Sequence, residues 1–217
     1  MDLVCGIDEA GRGPVIGPMV IAGVLVTRAE EALLKKLGVR DSKLITPPRR
    51  NKLARSIKNI VKKFKILIIS PATIDTEVSS ESSNLNLLEA RKSAEIITGL
   101  KPSIVYLDCP SNNIKGYTQQ VKKYLKKKVT IISEHKADKK YIAVSAASII
   151  AKVTRDYEIA KIQKSIKVPI GSGYPSDPIT QAFLTRYYKK YPLYIRRSWS
   201  SYKVLVTKQH QKTIGEF

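Results

Sequence analysis

Twelve consecutive residues, Val15 to Val26, carry no charged or hydrogen-bonding side chain. Such a run is too apolar to sit half exposed, as an alternating strand would, so it belongs in a sheet covered on both faces. A shorter strand, residues 3–8, precedes it across a glycine-containing turn, and the two read as an initial hairpin. Downstream, Thr46 followed by Pro47 reads as a helix cap and first-turn proline. Leu53, Ile57, Ile60, Val61 and Phe64 then recur at helical spacing. Residues 65–70 form a third strand, 84–100 a helix, 104–107 a fourth strand, 114–127 a basic helix, 129–133 a fifth strand and 139–164 a helix rich in small residues. Strands alternating with helices after a hairpin predict an α/β fold: a mixed five-stranded sheet with helices on both faces. A change of character near residue 166 divides the sheet-bearing domain, 1–165, from a C-terminal helical subdomain, 166–217.

Charge narrows the class of partner. The chain has 39 Lys and Arg against 18 Asp and Glu, a formal charge of +21 over 217 residues. That bias favours polyanions, above all nucleic acid. Beyond residue 181 there are eight basic side chains and one acid, interleaved with Tyr187, Tyr188, Tyr191, Tyr194, Trp199 and Tyr202. Two readings are open: a surface that neutralises phosphates and stacks on bases, or a solvated cationic face whose aromatics pack inward. No run of about 18 apolar residues occurs, so no membrane span is expected. The first residues lack a basic leader, and Cys5 and Cys109 have no partner at metal-ligand spacing, so a cytoplasmic location with two reduced, buried thiols is expected.

Against this basic background, four acids stand at positions suited to phosphodiester chemistry. Asp8 and Asp108 close short apolar strands, and in open α/β sheets such ends border the ligand crevice. Two strands side by side would bring these carboxylates together, where repulsion raises at least one pKa unless cations neutralise them. Mg²⁺, a hard ion that takes oxygen ligands, is the natural neutraliser. Glu9 adjoins Asp8, and strand neighbours point to opposite faces. If both serve one metal site, the chain must leave strand geometry at Glu9, which Gly11 and Gly13 make sterically easy. An Asp-Glu pair is also what a salt-bridged turn contains. Asp138 follows the fifth strand, and nearby His135 reads as structural rather than as a proton shuttle.

Around the acids lie candidate binding loops. Gly11, Arg12 and Gly13 offer backbone amides around a guanidinium that would grip phosphate; the alternative is a tight hairpin bearing a surface arginine. Lys43, in Asp41-Ser42-Lys43, reads as a second phosphate contact or, since such tripeptides are common in loops, as an ordinary loop lysine. Tyr174 sits in the rigid loop 171–178, placed to stack on a sugar beside its 2′-hydroxyl or else to plug the subdomain junction.

Together Asp8-Glu9-Ala10-Gly11-Arg12-Gly13, Asp41-Ser42-Lys43, Tyr106-Leu107-Asp108, His135-Lys136-Ala137-Asp138, the run 144–152 and Gly173-Tyr174-Pro175 resemble type 2 ribonuclease H, or ribonuclease HII, in its archaeal branch. The resemblance runs from residue 3 to about 205. It implies a ribonuclease H-like fold with a C-terminal helical extension, acting as a monomer. It also implies cleavage of the RNA strand in RNA–DNA hybrids and incision of duplex DNA 5′ to single ribonucleotides, leaving 3′-hydroxyl and 5′-phosphate. Asp8, Glu9, Asp108 and Asp138 match the acidic set that binds two ions, Mg²⁺ or Mn²⁺, about 4 Å apart. Gly11, Arg12 and Gly13 match the loop that senses the 2′-hydroxyl, and Tyr174 the tyrosine at the ribo–deoxyribo junction. Two other functions remain open: a hybrid-binding protein without turnover, and a DNA nuclease of the same fold. At the C-terminus Gln211, Ile214 and Phe217 are similar to peptides that dock an apolar plug on DNA sliding clamps, or they form a frayed end with no partner.

Overall fold

A computed structural model describes residues 3–39 and 45–214, with side chains as far as Lys208. The chain divides into two compact units. The first comprises Met1–Ala10, Val20–Ile68 and Leu85–Arg155; the second comprises Gly11–Met19, Ile69–Asn84 and Asp156–Phe217.

The first unit is built on a mixed five-stranded sheet. Its strands are β1 (Val4–Ala10), β2 (Met19–Val26), β3 (Lys63–Ile69), β4 (Ile104–Asp108) and β5 (Thr130–Glu134), in the order β3-β2-β1-β4-β5. β1 runs antiparallel to β2 and parallel to β4, which runs parallel to β5. Every residue of β2 is buried, as its uninterrupted apolar sequence requires. Helices α1 (Arg28–Lys36) and α2 (Pro47–Ile60) share one core cluster with Ala143, Ala146, Ala147 and Ile150 of the long helix α6 (Ile142–Ile166) and with Val4, Val20, Ala22 and Val24 of the sheet. The other face receives α4 (Leu85–Leu100): a side chain at Gly23 would collide with Ile96 and crowd Leu100 and Cys5. The even positions of β1 therefore face α6 and the odd ones face α4.

The small residues at the start of α6 have a measurable counterpart in β1. A β-carbon at Gly6 would lie 2.1 Å from the Ala143 carbonyl carbon and 2.2 Å from the Val144 nitrogen. Helix backbone thus rests directly on strand backbone, and only glycine permits it.

Some boundaries differ from expectation. α1 and α3 (Pro71–Ser79) were not anticipated, although each carries a start signal. Thr27 and Glu30 form a reciprocal capping box, and the Ser70 hydroxyl accepts from the Thr73 amide. β2 begins at Met19, not Val15, because Gly17 has φ +85°. Upstream of it, the Val15 and Ile16 amides donate to the Gly173 carbonyl and Ile16 pairs with Ile195. β3 starts at Lys63, and α5 is shorter than expected, Ile114–Lys123.

The second unit packs Val15, Ile16, Ile159, Ile170, Phe183, Leu184, Tyr188 and Ile195 into its own core. It contains α3, α7 (Pro178–Tyr187) and α8 (Ser200–Ile214). Tyr187, Tyr191, Tyr194, Trp199 and Tyr202 pack against that core, so the aromatics face inward while Lys189, Lys190, Lys203 and Lys208 are exposed.

Two glycine substitutions separate close packing from simple helix propensity. Gly6→Ala is expected to cost about 3 kcal/mol or more through overpacking against α6. Gly99→Ala, on an exposed helical position where only the flexible Lys65 side chain is near, should gain about 0.5–1 kcal/mol. Urea melts of the two variants measure both; equal effects would refute the close-packing account.

Candidate active site

The ladder between β1 and β4 ends at Ile7 and Leu107. Asp8 and Asp108 stand just past that last pair, at the carboxyl ends of adjacent parallel strands, where such a sheet opens a crevice. Asp138 lies in a single 3-10 turn, Ala137–Lys139, reached through Lys136 in the left-handed conformation (φ 57°). The Ala137 amide donates to Asp108 Oδ1 at 2.8 Å and ties this turn to the end of β4. His135 supports the same junction, its Nδ1 lying 3.0 Å from the Cys109 carbonyl oxygen.

The electrostatic result is concentrated on Asp8. Burial first, then the negative charge of Asp108 and more weakly that of Asp138, push its carboxyl up to about 8. The Ser148 hydroxyl of α6 and the Glu9 amide, 2.7 Å from Oδ1, relieve only part of this. Three carboxyl groups from distant parts of the chain are thus electrostatic neighbours. Among the described residues, no group of three or more His, Cys, Asp or Glu side chains is already drawn together closely enough to hold an ion.

Glu9 takes a different course. β1 keeps its ladder to β2 through Glu9–Ile21 and Ala10–Val20, so the chain does not leave strand geometry at Glu9. The departure comes at Gly11, φ +82°. By strand alternation Glu9 faces the α4 side, where its charge helps raise the Cys109 thiol and the Tyr117 phenol, each raised chiefly by burial.

In the second unit, Gly11 is buried, Arg12 half-buried and Gly13 exposed. The Tyr174 ring lies beside Gly13: a β-carbon there would sit 3.5 Å from Tyr174 Cε1. The Tyr174 loop is held by Asp177, whose carboxylate accepts from the Ser172 amide and hydroxyl and from the Ile179 amide. The Ser172 amide above all holds that carboxyl down to about 2. Thr180 adds a buried link, accepting from the Gly173 amide and donating to the Ile170 carbonyl. Lys43 and Phe217 lie outside the described residues, as do the side chains of Gln211 and Ile214.

A sequence model described as Ribonuclease HII matches residues 5–202. The chain belongs to the ribonuclease HII family. Ribonuclease HII of Pyrococcus furiosus is 42% identical over 221 residues, covering 98% of this chain and 96% of that protein. The crystal structure of ribonuclease H2 from Pyrococcus horikoshii superposes with a TM-score of 0.86 at 42% identity, covering 95% of this chain and 98% of that one. Ribonuclease HII of Archaeoglobus fulgidus, solved in complex with PCNA, gives a TM-score of 0.82 at 38% identity, covering 91% and 95%. The five-stranded mixed sheet is therefore the ribonuclease H-like fold, and the chain is an enzyme of the ribonuclease H class, which hydrolyses the RNA strand of RNA–DNA hybrids.

The donor chemistry of the acids fits a hard divalent cation. All donors are carboxylate oxygens, and Asp8 is buried among charges of its own sign, an imbalance that a hard cation would correct. What sequence reading missed is Arg196. Read as part of a basic surface, it is fully buried and donates to the Gly11, Arg12 and Gly17 carbonyls.

The sign of the Asp8 shift yields a test. With its folded pKa near 8 and an unfolded value near 3.9, the native state holds a proton that the unfolded chain has lost between those limits. Stability in chelator should therefore fall as pH rises from about 4 to 8, by on the order of a few kcal/mol. Asp8→Asn should flatten that slope and stabilise the chelated protein at pH 8. Denaturant melts across pH check it; a slope identical in wild type and variant would count against the buried repulsion.

Proposed function

We propose that this protein is a metal-dependent endoribonuclease that incises duplex DNA 5′ to embedded ribonucleotides as well as cutting the RNA strand of hybrids. The observation that carries the reading is the buried Asp8 at the carboxyl end of the β1–β4 pair, repelled by half-buried Asp108 beside it and more weakly by buried Asp138. Asp8, Asp108, Asp138 and Glu9 would hold two divalent ions, Mg²⁺ or Mn²⁺. Glu9 is retained in the set on its match to the family motif, since it faces the other side of β1 from Asp8. When bound, such ions supply Lewis-acid stabilisation of the charge that builds on the scissile phosphoryl group.

The chain's own residues have separable tasks. The Asp8 carboxyl, protonated in the cation-free protein near neutral pH, gives up its proton to become a full acceptor. The Ala137 amide fixes the rotamer of Asp108 by holding its Oδ1. Gly11, Arg12 and Gly13 contact the ribose 2′-hydroxyl and flanking phosphate, and Tyr174, 39% exposed beside Gly13, stacks at the ribo–deoxyribo junction. Lys43 adds a phosphate contact. The net charge of +21 draws the duplex in and makes binding salt-dependent. Cleavage leaves 3′-hydroxyl and 5′-phosphate ends. We place the activity in the cytoplasm; no described helix is long and apolar enough to cross a membrane.

Turnover separates this reading from a binding protein that has kept the fold. Asp108→Asn is expected to lower cleavage of a duplex bearing one ribonucleotide by about a thousandfold or more while leaving its affinity within a few-fold. Gel mapping of the nick gives the position, and wild-type protein with metal should leave the all-DNA duplex intact. Equal cutting of both duplexes would favour a general DNA nuclease.

The relative solved with PCNA supports a second proposal. Gln211, Ile214 and Phe217 dock on a sliding clamp. Deleting residues 211–217 should abolish clamp binding in a pull-down or by calorimetry without altering cleavage of a short duplex; clamp affinity that survives the deletion rejects this role.

A further inference from the structure

We propose that Arg196 is a positioning residue that presets the Gly11–Gly13 loop for its ligand. This rests on the reading of that loop as the ribose and phosphate contact. Arg196 is 0% exposed. Its Nη2 donates to the Gly11 carbonyl at 2.6 Å, its Nη1 to the Arg12 carbonyl at 2.8 Å and its Nε to the Gly17 carbonyl at 3.0 Å. One rigid, planar fork therefore holds both ends of a seven-residue loop, 11–17, a task no single ammonium head can perform.

Peptide geometry converts those bonds into a statement about the opposite side of the loop. In a planar trans peptide the C=O and the following N–H point in opposite directions. Pulling the Gly11 and Arg12 oxygens toward Arg196 turns the Arg12 and Gly13 amide hydrogens away from it. Two successive amides so directed, following a glycine at φ +82°, form the kind of concavity that receives an anionic or hydroxyl oxygen. The next plane is fixed from the same side, since Trp199 Nε1 donates to the Gly13 carbonyl at 3.0 Å, and residue 14 is proline with no N–H to misdirect.

Arg196 is itself immobilised. Its guanidinium carbon lies 4.9 Å from the Trp199 ring centroid, and its backbone amide donates to Val15 O at 2.8 Å. Immediately downstream, Asp75 of α3 accepts from the Arg197 and Ser198 amides and from the Ser198 hydroxyl.

The test uses the full chain as wild type, Arg196→Gln, Arg196→Lys and Trp199→Phe, which keeps an aromatic ring and removes only the indole donor. Amide hydrogen exchange is read by NMR at Arg12 and Gly13, with β1 and α7 amides as internal reference. Affinity is read by fluorescence anisotropy in chelator, for a duplex with one ribonucleotide and for the same sequence as all DNA. Both Arg196 variants should speed exchange at residues 12 and 13 at least about tenfold while the reference amides hold. They should also weaken the ribonucleotide duplex about tenfold, the loss of roughly one charge-assisted hydrogen bond, and leave all-DNA binding unchanged, so the preference collapses. Trp199→Phe should shift both readouts the same way by less. A folded Arg196→Gln protein with native exchange at residues 12 and 13, or with its preference intact, overturns the proposal. Should Arg196→Gln fail to fold, Arg196→Lys and Trp199→Phe decide by the same criteria. If wild type itself shows no preference for the ribonucleotide, the reading of the loop falls, and exchange at residues 12 and 13 alone then judges whether Arg196 positions them.

Discussion

Four consecutive parallel pairs, Val4 with Ile104 through Ile7 with Leu107, decide where the chemistry of this chain can occur. Because β1 and β4 point the same way, the residues that follow the last pair emerge at one end of the sheet, and both are aspartates. An antiparallel pairing of these two strands would have set Asp8 and Asp108 at opposite ends. The apolar register beneath them also removes solvent, and it is this lack of water, more than the neighbouring charges, that makes Asp8 so reluctant to ionise. The chain therefore concentrates unfavourable electrostatics at one point within a strongly cationic protein. The surrounding core, including the direct seating of α6 on Gly6, offsets that cost.

Much of the fold was legible because hydrophobic pattern and local structure agree. The apolar stretch of β2 required two covered faces and has them. The small residues of α6 required a close neighbour and found strand backbone. The start of β2 misled because Val15 and Ile16 are as apolar as the strand proper. Their hydrogen bonds go to Gly173 and Ile195, and nothing local announces a partner so far along the chain. Helix α1 was passed over although Thr27 and Glu30 form a recognisable cap, since Arg28 to Lys36 is charged and short and reads as loop.

The acids illustrate how sequence distance limits such reading. Asp8 and Asp108 could be paired from the strands they terminate, whereas the bond from the Ala137 amide to Asp108 depends on a left-handed lysine that no propensity favours. Glu9 is the counterexample. The expected departure from strand geometry at Glu9 does not occur: an unbroken ladder with β2 keeps strict alternation and turns it toward α4. The aromatic-rich tail shows the same limit. Interleaved tyrosines and lysines fit a stacking surface equally well on paper, yet the small core of the second unit takes the rings for itself.

The distance between Arg196 and the carbonyls it holds, up to 185 positions along the chain, also orders events during synthesis. Strands β1 and β2 are near neighbours in sequence and pair early, with little loop entropy to overcome. The turn that follows β1 cannot take its held form until the chain has been made through Arg196. A nascent chain thus carries Asp8, Asp108 and Asp138 before it carries the residue that holds the turn at Gly11 and Gly17.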